Sequence, residues 1–163
     1  NQNTLMSESP ITFNNCSIIG PGKILSTGSI TLSGGSQVSG YVDIISEGAL
    51  TISGSCIIGT SISSGCVIYS ESSININAST IYGLAIGIGS EFTILNNTNF
   101  YGGVYTESNS VNVDASNIIG SLVSKNSLNL TNSSSLSKGS LPPIFGLPYG
   151  FKSSVIPGSY LEY

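Results

Sequence analysis

A chain of 163 residues, 39% of them apolar, is long enough for one domain with a sizeable core. Only 7% of the residues are charged and the net charge is −4, with four Lys and no Arg, which argues against phosphate-backbone binding because that affinity comes from clustered cations. With no His anywhere, Ser-His-Asp, Cys-His and histidine-metal chemistry are excluded as well.

The first ten residues, NQNTLMSESP, show neither a basic segment nor an apolar leader, and are expected to form a lead-in or N-terminal cap. From Ile11 one phrase then recurs seven times: an apolar residue, Thr or Asn, another apolar residue, a few polar residues and a Gly. The copies begin ITFNNCSIIG, ITLSGGSQVSG, LTISGSCIIG, ININASTIYG, FTILNNTNFYG, VNVDASNIIG and LNLTNSSSLSKG. Their first residues, Ile11, Ile30, Leu50, Ile74, Phe92, Val111 and Leu128, are 19, 20, 24, 18, 19 and 17 residues apart, close to the length of one solenoid coil. Regularly placed branched aliphatics and a positive mean hydropathy set the chain apart from disordered Ser- and Gly-rich sequences.

Within each copy, period-two alternation places the apolar pair on one face of a strand and the Thr or Asn on the other. A second short strand is expected to end near Gly20, Gly40, Gly59, Gly83, Gly102 and Gly120, and a third to follow in KILS, YVDIIS, SIS, AIGIGS, GVYT and SLVS. No window carries apolar residues at i, i+3, i+4 and i+7 for three turns, and the many Gly and β-branched residues oppose a helix. The predicted fold is therefore all-β: a single-domain parallel β-helix over residues 11–139, with seven coils giving a rod about 34 Å long at about 4.8 Å per coil. Stability is expected from stacking of neighbouring coils, since one coil cannot bury its own apolar face.

Two stretches break the pattern. The 24-residue spacing before Ile74 places an excess around VIYSESS, Val67–Ser73, expected to leave one corner as a loop. After Gly139, residues 140–163 bring Pro142, Pro143, Pro148 and Pro157 together with Phe145, Tyr149, Phe151 and Tyr160. Prolines lack the N–H a ladder needs, so this tail is expected to cap the rod or dock on a partner rather than add a coil. No run reaches the about 18 apolar residues of a membrane-spanning helix. Cys16, Cys56 and Cys66 lack C-x-x-C spacing; free, buried thiols are expected, with a Cys56–Cys66 bridge as the alternative.

Two sets of residues are candidates for function. Thr12, Thr31, Thr51, Asn75, Thr93, Asn112 and Asn129 hold the middle position of each copy and are expected to form one outward column. Such a column serves as a hydrogen-bonded ladder or as a flat face for glycan or ice. Glu47, Glu71, Glu91 and Glu107 are expected near one corner, where carboxylates serve as a solubilising surface or, at about 5 to 9.5 Å apart, as a glycosidase pair. No catalytic residue, cofactor or metal is assigned from either set.

The body, from ITFNNCSIIGPGKILSTGS through LNLTNSSSLSKG and including SGYVDIISEGALTISGSCIIG, resembles the bactofilin-like polymer-forming β-helix repeat. That resemblance implies a right-handed, non-enzymatic scaffold able to polymerise. The tail LPPIFGLPYGFKSSVIPGSYLEY is similar to the C-terminal end of minor-pilin-like type IV pilus assembly proteins, here in Pro157–Glu162. Together with the low-charge Ser/Thr/Asn surface, it leads to the expectation of an extracellular or cell-surface structural, adhesive or assembly protein associated with a pilus. Pilus subunits, cell-surface components or a glycan are then the expected partners, with self-association open. The alternative expectation is a cytoplasmic, bactofilin-like polymer.

Overall fold

A computed structural model describes residues 3–139; the cap or docking tail expected at 140–163, with Phe145, Tyr149, Phe151 and Tyr160, lies outside the described residues. The chain is an all-β parallel solenoid of about seven turns. Its strands are β1 (Asn3–Ser7), β2 (Ile11–Asn14), β3 (Ser17–Ile19), β4 (Gly22–Ser26), β5 (Ile30–Ser33), β6 (Gln37–Ser39), β7 (Val42–Ser46), β8 (Leu50–Ser53) and β9 (Ile57–Ile58). They continue with β10 (Cys66–Ser70), β11 (Ser73–Asn77), β12 (Thr80–Gly87), β13 (Glu91–Leu95), β14 (Asn99–Thr106), β15 (Ser110–Asp114), β16 (Asn117–Ser124), β17 (Ser127–Thr131) and β18 (Ser135–Ser137). One sheet, B, stacks β2, β5, β8, β11, β13, β15 and β17; all other strands form sheet A across the core.

The phrase sets the register. Ile11, Ile30, Leu50, Ile74, Phe92, Val111 and Leu128 are Cα partners from coil to coil, as are the residues two further on, Phe13 through Leu130. Most strands between the two ends bury alternate residues, so the inward columns of both sheets meet in one core of Ile, Leu, Val and Phe. Each fully buried aliphatic contributes about 2 to 3 kcal/mol from area removed from water. Bulk is balanced along the rod. Phe92 replaces the Ile or Leu of earlier coils, and Gly87 stands where Ser46 and Ser70 stand, leaving room that a Cβ 2.8 Å from Phe92 Cδ2 would take.

The corners differ from the expected three short strands per coil. Coils one and two keep separate second and third strands, with six residues from Ile18 to Ile24 and from Val38 to Ile44. Coil three takes ten, from Ile58 to Ile68, and coils four to six take four, from Ile81 to Ala85, Phe100 to Val104 and Ile118 to Leu122. In those later coils the two strands fuse into the eight-residue β12, β14 and β16. The excess of coil three therefore lies at residues 59–65, where Ile62–Ser64 form a 3-10 turn in place of the strand expected in SIS. Val67–Ser73, expected to leave as a loop, instead carries β10 and the start of β11, in register with its neighbours. The spacing from Leu50 to Ile74 gives the size of the excess but not where between them it falls, and the structure puts it before CVIYS.

Fusion depends on glycine. A Cβ at Gly83 would overlap the carbonyl oxygen of Cys66, one at Gly102 that of Gly83, and one at Gly120 that of Gly102. Glycines stacked at this position let each backbone pass close over the one below. Asn3–Ser7, before the first phrase, is also strand: β1 pairs in parallel with β4 in the place of a coil's third strand.

Candidate functional site

The middle positions of the phrase form one column in register on the outer face of sheet B: Thr12, Thr31, Thr51, Asn75, Thr93, Asn112 and Asn129. Asn129 Nδ2 donates to Asn112 Oδ1 at 2.9 Å, and Thr93 is buried with its Oγ1 3.5 Å from the Ile74 carbonyl. A second outward column, Asn14, Ser33, Ser53, Asn77, Leu95, Asp114 and Thr131, runs beside it. Its signal in the sequence is the polar residue after the second apolar position, present in every copy but the FTIL one. Ser33 Oγ donates to Asn14 Oδ1 at 3.3 Å and Thr131 Oγ1 to Asp114 Oδ1 at 2.6 Å. The face is a nearly uncharged grid, with hydrogen-bonding groups about 4.8 Å apart along the rod and about 7 Å apart across it.

Sheet A turns into sheet B at a second corner, which holds the carboxylates. The backbone N–H groups of Glu47, Glu71 and Glu107 each donate to the strand of the preceding coil, at the Ser26, Ser46 and Gly87 carbonyls. Glu47 and Glu71 thus occupy adjacent coils, while Ile88 takes the place between Glu71 and Glu107. Glu91 opens β13 at the end of this corner, in register with Ser73 and Ser110, so it lies outside the column of Glu47, Glu71 and Glu107. Glu107 accepts from Tyr105 Oη at 2.9 Å and faces Lys125 Nζ at 3.3 Å, and these two contacts hold its carboxyl below the ordinary carboxylate range. Tyr69 Oη likewise donates to Glu71 at 3.2 Å.

Tyrosines mark the outer face of sheet A. Tyr82 and Tyr101, the residues before Gly in IYG and FYG, stack with ring centroids 4.7 Å apart and planes 11° from parallel. Farther along the same strands, Ile86 has Tyr69 and Tyr105 as its partners in register and is 2% exposed although it points outward. Spacing in the sequence, counted from the sheet B anchors, hid this face because corner lengths differ between coils.

All three thiols are free, so the Cys56–Cys66 alternative is excluded, and Cys16 is exposed rather than buried. Cys16 and Cys56 belong to a corner column with Ser36, Ser79, Thr98, Ser116 and Ser134, whose hydroxyls bond back to the carbonyl two or three residues earlier. Ser36 Oγ donates to Ser33 O at 2.7 Å and Cys56 Sγ to Ser53 O at 3.0 Å, so the thiol stands in for a corner hydroxyl. Cys66 lies in a different column, between Val42 and Gly83. Burial pushes its thiol up to about 11 and raises that of Cys56.

No family model, curated protein or solved structure matches the chain. The site is accordingly read from its own geometry. Among the described residues, no group of three or more His, Cys, Asp or Glu is placed to hold a metal ion, and no helix is long and apolar enough to cross a membrane. What the arrangement offers is surface: a flat polar grid on sheet B, a tyrosine-lined face on sheet A and a corner of carboxylates.

Proposed function

We propose that the protein is a non-enzymatic rod of the cell envelope or extracellular space with a structural, adhesive or assembly role, associated with a pilus. The observation that carries this reading is the continuous in-register grid of Thr, Asn and Ser over the seven strands of sheet B. Such a grid is stiff because each coil is hydrogen-bonded to the next, and it stays solvated with little charge. The likeness of the tail to minor-pilin-like proteins supports the pilus. Immunogold labelling of intact cells of the source organism tests the reading. Gold on the outer surface, concentrated along pili, is expected; gold found only after permeabilisation overturns it in favour of a bactofilin-like internal polymer.

A further inference from the structure

Neighbouring coils are not joined equally. Among coils one to six the strands stack least between coils two and three, where β5 meets β8 over three residues, β6 meets β9 over two and β7 meets β10 over four. Between coils one and two each counterpart is one residue longer, and from coil four to coil six the strands stack over five and eight. The long corner of coil three adds to the difference. Residues 59–65 carry no strand; Gly59 N–H donates to Val38 O at 2.8 Å, and past it Tyr41 Oη reaches across from coil two to donate to Ser63 O at 2.6 Å.

The corner that follows sheet B is weaker at the same place. There the N–H groups of Cys16, Ser79, Thr98 and Ser116 donate to a hydroxyl of the next coil, Ser36 Oγ, Thr98 Oγ1, Ser116 Oγ and Ser134 Oγ, at 3.2 to 3.4 Å. To Ser36, coil three presents the thiol of Cys56 in that position, and sulfur is the weaker acceptor. Both buried thiols belong to coil three: Cys56 is 0% and Cys66 1% exposed, and Cys66 stands between Val42 of coil two and Gly83 of coil four. A solenoid is held by its nearest-neighbour interfaces, so its cooperativity breaks first where one interface is weakest.

We infer that the interface between coils two and three is a joint built into the fold, at which the rod opens into two blocks and uncovers Cys56 and Cys66 together. Within each block the strands stay stacked, so the register that guides closure is kept. A rod under load in an assembly therefore yields at one defined place and closes again. The joint goes beyond the role proposed above and draws only its biological meaning from it. Surface labelling bears on where the rod acts and thiol labelling on how it opens, so either can fail while the other stands.

The test uses the full chain, with site-resolved hydrogen exchange and peptide-resolved maleimide labelling. The N–H groups of Ile30, Ile57, Gly59 and Glu71 donate across the joint, to the carbonyls of Ala49, Ser36, Val38 and Ser46. They are expected to exchange sooner than those of Asn99 and Asn117, whose bonds to Ser79 O and Thr98 O cross later interfaces. In urea below the unfolding midpoint, Cys56 and Cys66 are expected to label together while circular dichroism is unchanged. Cys56→Ser, which restores the hydroxyl, is expected to slow labelling of Cys66 several-fold and to leave exchange at Asn99 and Asn117 as it was. Thiols that label only as circular dichroism is lost overturn the joint. So do crossing N–H groups as protected as those of Asn99 and Asn117, or a Cys56→Ser chain in which Cys66 labels at the unmodified rate.

Discussion

Coils one to three and coils four to six have the same core but turn their sheet A corner differently. From one inward residue to the next, the early coils use six or ten residues and keep two short strands, whereas the later coils use four and run them together over Gly83, Gly102 and Gly120. The inward columns pass through the change without losing register. A solenoid therefore holds its stacking direction strictly and leaves the length of each corner free, because only the stacked positions are bonded to neighbours on both sides.

The largest expected effect breaks the fused corner. Gly102→Ala forces a Cβ into the Gly83 carbonyl, and a loss of about 3 kcal/mol or more is expected from overpacking against backbone. Gly35→Ala, at a corner of coil two with φ +78 and no atom within 4 Å of the new Cβ, is expected to lose only about 1 kcal/mol, from backbone conformation alone. Urea midpoints of the two variants measure the difference; equal losses would show that the glycine stack is incidental. Hydrogen exchange on the Gly102 variant is expected to show coils five to seven opening before coils one to three.

A smaller effect is expected where coil three carries its excess. Deleting Thr60–Ser63 leaves six residues from Ile58 to Ile68, the length used by the coils before it; besides the turn's own hydrogen bonds within residues 60–64, it removes the one that Tyr41 Oη donates to Ser63 O at 2.6 Å. A loss below about 1 kcal/mol in urea unfolding is expected, since surface corners tolerate length changes. A loss as large as that of Gly102→Ala would mean that the 3-10 turn holds the transition between the two corner types.

The smallest effect reports on Cys66, the last side chain in its column before the glycine stack. Maleimide at pH 8 is expected to label Cys16 in the native chain and to leave Cys56 and Cys66 unlabelled, all three reacting in urea. Because the folded Cys66 thiol is raised from 9.0 to about 11, its contribution to stability is complete below pH 9 and is lost as pH rises through about 11. Cys66→Ala is expected to flatten the fall in urea midpoint over that window. An unchanged slope would show that the thiol does not report on this corner.

The sheet B strands were legible because Ile-Thr-Leu and its variants repeat a period-two pattern seven times, and that pattern forces both the inward anchors and the outward Thr and Asn column. The sheet A corner was not legible. CVIYS reads as a strand only when aligned on β7, and counting from Leu50 alone moved the four extra residues past it. Glu91 and Glu107 illustrate the same problem at the carboxylate corner. Their offsets from the anchors are similar, yet only Glu107 shares a column with Glu47 and Glu71, because corners of different length shift similar offsets to different register positions.

The amino-acid sequence by itself determined the architecture: repeated short-range alternation, spaced by about one coil, can bury its apolar residues only by stacking on the next copy. Which residues share a corner and which thiols are shielded were decided only by the tertiary structure. Those features depend on strand register between residues about twenty positions apart. Register is set by the inward columns of neighbouring coils and by backbone contacts such as Gly102 over Gly83, which no single repeat contains.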